Sequence, residues 1–272
     1  MQNDKAAKPE TGKEEEDMME IKGHQIGTGR PLICIPVMEK TVEETVKKIV
    51  ELSTHGAEMI EWRLDAFGSY TDYNAVREVY ENVAAHLGNT IFLQTFRTQQ
   101  SGEKKEVPAG LTEDLGDLAV ESGCVDLLDV EYFEEKRPAH RIKRLHQKGM
   151  KVVASHHDFT ETPKPEVMHM LLEQMCAGDA DIVKLAVMPA QEKDVLDLLA
   201  VTDRFRKEYP KTPVITMSMG KLGIASRICG ESFGSAVTFA SDGRASAPGQ
   251  FDAAEMEQIL KLIHTRLQAS EE

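Results

Sequence analysis

Asp181-Ile182-Val183-Lys184-Leu185-Ala186-Val187-Met188-Pro189 is a short apolar run with one lysine in its middle and a proline at its end. Rich in Val and Ile, opened by the turn-like Gly178-Asp179-Ala180 and stopped at Pro189, it reads as a parallel strand buried on both faces. Lys184 is the anomaly in it. Burial disfavours a charged ammonium and makes a neutral amine available, and such an amine attacks carbonyls to form imines. The bland alternative is a lysine whose stem packs while its head reaches water. The stretch alone supports either reading.

Outward from this run the chain alternates. Strand-like segments fall near Leu32 to Val37, Met59 to Leu64, Ile91 to Arg97, Val125 to Glu131, Val152 to His156, Ile182 to Met188, Val214 to Met217 and Ala236 to Phe239. Amphipathic segments separate them: Val42 to Leu52, Tyr73 to His86, Leu111 to Glu121, Pro138 to Lys148, Pro165 to Cys176, Lys193 to Glu208 and Leu222 to Cys229, with Ala253 to Leu267 closing the chain. Apolar residues in them recur at three and four, as in Val42, Val46, Ile49 and Val50. Strand and helix repeating at roughly 30 residues are βαβ units of a parallel sheet. Eight such units predict an α/β fold of the closed (β/α)8 TIM barrel type rather than an open sheet, and no GxGxxG or GxxxxGK[ST] follows a strand. Ahead of the barrel, Ile21 to Gly29 reads as a glycine-rich β-hairpin. Residues 1–20 read as a disordered polar tail, with Lys13-Glu14-Glu15-Glu16-Asp17 as its charged block, and 21–272 as one catalytic domain.

The totals exclude several partners. A net charge of -14 over 272 residues repels nucleic acid and anionic membrane. No apolar stretch is long enough to span a bilayer, and no signal peptide opens the chain, which predicts a cytoplasmic protein. Cys34, Cys124, Cys176 and Cys229 are scattered without a CxxC pair and read as mostly buried, reduced thiols. Neither HExxH nor a clustered Cys/His spacing is present, so no metal is expected. His156 and His157 are neighbours on a strand, point to opposite faces and cannot chelate together.

Alternate strand residues share a face, and a barrel's outer face must be apolar beneath its helices. That sends Glu61, Arg63 and Asp65 inward and Trp62 and Leu64 outward. It likewise sends Thr95 and Arg97, Asp129 and Glu131, Ser155 and His157, and Lys184 inward. Most sit at the C-terminal ends of their strands, where barrel enzymes place catalytic groups. Lys184 is then the candidate nucleophile and His157 the natural general acid/base. Arg63, Arg97 and Arg227 offer forked donors for a carboxylate or vicinal hydroxyls. Arg227 is the weakest of these, because most helix arginines are solvated. The small, polar loop Gly243 to Gln250 after the last strand is a candidate lid.

Taken as a set and in order, Glu61 to Asp65, Thr95 to Thr98, His157-Asp158-Phe159 with Thr162-Pro163, Asp181 to Pro189, Thr216 to Met219, Ser226-Arg227 and Ser246 to Gln250 resemble the type I 3-dehydroquinate dehydratases. The resemblance runs from about Ile21 to the C-terminus. It implies a cofactor-free and metal-free (β/α)8 hydro-lyase, a homodimer, acting on 3-dehydroquinate in the shikimate pathway towards chorismate and the aromatic amino acids. Lys184 would form the imine with the C3 ketone, and His157 would take the C2 proton, protonate the departing C1 hydroxyl and assist imine formation and hydrolysis. Glu61 and Arg63 would bind ring hydroxyls, Arg97 would orient the substrate, Arg227 would pair with its carboxylate, and Ser246 and Gln250 would close over it. One departure is Ser101, where many relatives have a glutamate near the histidine; Glu103 is the nearby acid. Another is His156, where an asparagine or tyrosine is common. Two other classes fit less well: an imine-forming aldolase, which would place its lysine with a phosphate loop, and a non-catalytic metabolite-binding barrel.

Overall fold

The computed structural model describes residues 19–100, 103–104, 107–243 and 249–269. Eight parallel strands form the barrel: Leu32–Val37, Met59–Arg63, Ile91–Thr95, Leu127–Glu131, Lys151–Asp158, Ile182–Val187, Val214–Ser218 and Val237–Phe239, hereafter the first to eighth. Each pairs with its predecessor from the second to the seventh, and the eighth pairs with the first. A parallel bridge between Val214 and Ser235, with the Ala236 amide donating to the Val214 carbonyl at 2.8 Å, brings the seventh against the eighth. The expected TIM barrel is the fold observed.

Its core has two layers because the strand period is two. Leu32, Cys34, Met59, Ile91, Leu127, Val153, Ile182, Ala186 and Phe239 fill the inside. Ile33, Ile60, Trp62, Val130, Val183, Leu185 and Val187 face the helices. Each fully buried aliphatic side chain stabilises by about 1.5–3 kcal/mol relative to exposure. Trp62 anchors the outer layer, edge-on to Phe67 and Tyr80 and stacked on Phe92.

Where bounds differ from expectation, side chains explain it. The third strand stops at Thr95 because the Arg97 amide donates to Asp65 and the Thr98 amide to Glu131 instead of to a neighbouring strand. The fifth runs on to Asp158 because its ladder with the sixth continues through Ala186 opposite His157 and Val187 opposite Asp158. The helix expected from Leu222 to Cys229 is two short pieces, Ile224–Ile228 and Gly230–Phe233. A Cβ on Gly230 would lie 2.5 Å from Pro31, so the break carries the residue that fits there. Of the cysteines only Cys34 is buried; the other three are half-buried, and all four are free thiols. No helix among the described residues is long and apolar enough to cross a membrane.

The N-terminal hairpin pairs Met19–Ile21 with His24–Ile26. Its turn puts Lys22 and Gly23 at φ 51 and 84, the all-positive backbone of a tight two-residue hairpin. Ile21 and Ile26 join the inner layer beside Leu32, Ile91 and Leu127, the opening residues of their strands or close to them. Lys22 donates to the Thr90 carbonyl at 2.9 Å and pairs with Asp126 at 2.7 Å. The hairpin therefore plugs the N-terminal end of the barrel and leaves the C-terminal end for chemistry.

Candidate active site

Parity places the polar side chains as expected from the alternation. Glu61, Thr95, Asp129, Ser155 and Lys184 are buried, and their contacts with one another lie inside the barrel. In the ladder Lys184 faces Ser155 and Ala186 faces His157. The lysine and histidine thus occupy neighbouring strands two residues apart in height, roughly 6.6 Å along the barrel.

Lys184 does not snorkel. Its Nζ lies 3.6 Å from Glu61 Oε1, 4.0 Å from Asp129 Oδ2 and 4.2 Å from the centre of the Phe239 ring. Glu61 is itself held, accepting from Thr95 Oγ1 at 2.9 Å. Phe239, which sequence reasoning passed over, reaches the amine because it shares the inward face of the eighth strand with Val237. The same parity argument applied to that short strand finds it.

Arg97 is the hub of the neighbouring network. Its guanidinium donates to Glu131 at 3.0 Å, to Ser155 at 2.9 Å and to Asp129 at 3.0 Å. Ser155 in turn donates to Asp129 at 2.7 Å. Burial works against the charge on Arg97, but Asp129 and Glu131 outweigh it and raise its pKa above the usual value. Arg63 is clamped by Asp65 in a two-point pair at 2.8 and 2.7 Å. Burial pushes the Asp65 carboxyl up, yet the Arg63 clamp prevails and holds it below the ordinary range.

His157 stacks on Phe159 with ring centres 5.9 Å apart, and its Nδ1 is buried without a hydrogen-bond partner among the described residues. Burial first, then the cations Arg97, Lys184 and Arg63, hold its pKa well below 6.5. A neutral imidazole inside the barrel is a base ready for a proton. His156 instead sits edge-on to Phe133 at 5.1 Å.

Arg227 departs most from its sequence reading. It lies on the short helix Ile224–Ile228 yet is only 2% exposed. All three of its guanidinium nitrogens lack hydrogen-bond partners among the described residues. Burial alone pushes its pKa down to about 10. Ser226 pins this helix, accepting from the Ser218 amide at 2.9 Å and donating to the Gly223 carbonyl at 2.7 Å. A buried, unsatisfied guanidinium fits an anion that arrives with the ligand.

Ser101 and Ser246 lie outside the described residues, and Glu103 is described only as backbone in a two-residue strand pairing with Gln99–Gln100. Gln250 is half-buried just after Gly249. A Cβ on Gly249 would stand 2.4 Å from the Gly220 carbonyl oxygen, and its φ is 81. Only glycine lets the loop after the eighth strand seat against the loop after the seventh.

A family model described as type I 3-dehydroquinase matches residues 33–266. The 3-dehydroquinate dehydratase of Clostridioides difficile (strain 630) is 38% identical over 247 residues, covering 90% of this chain and 97% of that protein. The one from Listeria innocua serovar 6a is 39% identical over 245 residues, with 90% and 97% covered. Among solved structures, the type I 3-dehydroquinate dehydratase from Clostridium difficile with covalent modified comenic acid superposes with a TM-score of 0.83 at 38% identity, covering 92% of this chain and 98% of that one. The 3-dehydroquinate dehydratase from Geobacillus kaustophilus gives 0.86 at 31% identity, with 92% and 97% covered. With a matching family model across most of its length and relatives of this identity, the chain belongs to the type I 3-dehydroquinase family.

Proposed function

We propose that the chain dehydrates 3-dehydroquinate to 3-dehydroshikimate through an imine on Lys184. The observation that carries this reading is a lysine buried among two carboxylates and a ring, beside a strand whose last residues include a half-buried histidine with its pKa held well below 6.5. The deprotonated amine of Lys184 attacks the C3 carbonyl carbon, and the carbonyl oxygen, protonated twice, leaves as water. The product is an iminium carrying one proton on nitrogen. His157 takes the C2 proton; the C2–H electron pair becomes a C2–C3 double bond and the C=N pair moves to nitrogen. The resulting enamine returns its pair and expels the C1 hydroxyl, which leaves as water with the proton from His157. Hydrolysis by one water then frees the product and the lysine.

Arg227 would pair with the substrate carboxylate, because its donors have no hydrogen-bond partner among the described residues. Glu61 and Arg63 would bind ring hydroxyls and Arg97 would orient the ring. Ser246 and Gln250 would close over it, as the family resemblance implies. The family resemblance adds a homodimer working in the cytoplasm on the route to chorismate; a sedimentation mass of one chain would remove the dimer.

Borohydride reduction in the presence of 3-dehydroquinate tests the chemistry. It is expected to add one ligand mass at Lys184, located by peptide mass spectrometry, and to add none in Lys184→Ala. Absence of any adduct on the unaltered protein would end the imine reading.

A further inference from the structure

Asp129 has no exposed side-chain surface, so substrate does not reach it. The cations of the site are nonetheless arranged around it. Its Oδ2 accepts from Arg97 at 3.0 Å and lies 4.0 Å from Lys184 Nζ, while Oδ1 accepts from Ser155 at 2.7 Å. Arg63 is already taken by Asp65, and Arg97 is shared with Glu131. That leaves Glu61 and Asp129 for Lys184. Glu61, at 3.6 Å, is the one proposed to turn to a ring hydroxyl when substrate arrives. Asp129 is the one that stays.

The chemistry needs such a group. An imine nitrogen is sp2 and a weaker base than the amine it came from, and only the protonated imine draws electrons from C2. A fixed negative charge at about 4 Å favours the charged form of its neighbour.

We infer that Asp129 is a positioning residue that keeps the Lys184 imine protonated through the dehydration, its carboxylate held in place by Arg97 and Ser155. This rests on the imine reading of the site. No bond forms or breaks at Asp129: it remains a carboxylate while the nitrogen above it alternates between iminium and enamine. Burial pushes its carboxyl up, but Arg97 and Lys184, with the Arg97 and Ser155 hydrogen bonds, outweigh that and hold it below the ordinary range. It is therefore an anion at working pH.

Asp129→Asn keeps the shape and one acceptor oxygen and removes the charge. The measurement is kcat against pH for the unaltered protein and the variant, with borohydride trapping of the unaltered protein alongside. In D129N the alkaline limb of kcat is expected to move to lower pH by about one unit or more, with kcat at neutral pH down about tenfold and the acid limb in place. The direction follows from the charge: without the carboxylate the imine gives up its proton at a lower pH. No trapped adduct on the unaltered protein removes the imine reading. A trapped adduct with an unmoved alkaline limb, or a uniform loss of kcat at all pH, overturns the role of Asp129 alone. Should D129N fail to fold, Ser155→Ala decides, since it withdraws one bond that fixes the carboxylate but leaves the charge. It is expected to shift the limb in the same direction by less, and an unmoved limb overturns the inference.

Discussion

Replacing His157 with alanine is expected to leave a protein that binds 3-dehydroquinate and traps an adduct on Lys184 but loses about three orders of magnitude in kcat. General acid/base groups contribute about 10²–10⁴-fold, and this one is proposed to act on both the C2 proton and the C1 hydroxyl. Mass spectrometry after reduction separates the two roles from imine formation; turnover in His157→Ala equal to that of the unaltered protein would remove the histidine from the mechanism. The pH dependence carries an independent check. His157 is held below its ordinary 6.5 by burial and by Arg97, Lys184, Arg63 and His156, so the base stays neutral into mildly acidic solution. The acid limb of kcat/KM is then expected below pH 6.5. Stability follows the same sign. As pH falls through 6.5 the unfolded chain takes up a proton that the folded chain refuses, so this contribution is whole above 6.5 and drains away between 6.5 and the lower folded value. His157→Ala is expected to flatten that part of the stability profile, followed by urea unfolding.

The second large effect belongs to Arg227. Arg227→Met is expected to raise KM by about 10²–10³-fold, the consequence of removing one partner of a desolvated charge pair. The same variant is expected to be more stable without substrate. A buried donor left unsatisfied costs about 1–3 kcal/mol, and an apolar side chain of similar volume avoids that cost. A gain of about 1–2 kcal/mol corresponds to roughly 2–8 °C in Tm. Calorimetry and initial rates on one preparation read both. A lower Tm together with an unchanged KM would show that the guanidinium supports the fold rather than the ligand.

Barrel class and inward face were legible because both rest on short-range periodicity. Glu61 and Trp62 are adjacent in the chain and lie in different layers, as strand parity requires. Lys184 was conspicuous for breaking the apolar pattern of its own strand. Other features were not legible because they depend on separations that no local pattern encodes. The bond from Arg97 to Ser155 spans 58 residues, and the early end of the third strand depends on where the Asp65 and Glu131 carboxylates fall in space. The burial of Arg227 was hidden by its setting: a five-residue helix has too few turns to show a buried face. The half-buried state of Cys124, Cys176 and Cys229 corrects the expectation that most of the thiols are inside.

The hairpin under the barrel has a kinetic meaning. With Ile21 and Ile26 stopping the N-terminal end, the reaction chamber is a cul-de-sac. In the proposed reaction, substrate, product and the waters released and consumed would then use the C-terminal end of the barrel as their doorway. A group fused ahead of the hairpin joins the chain at the closed end, away from that doorway.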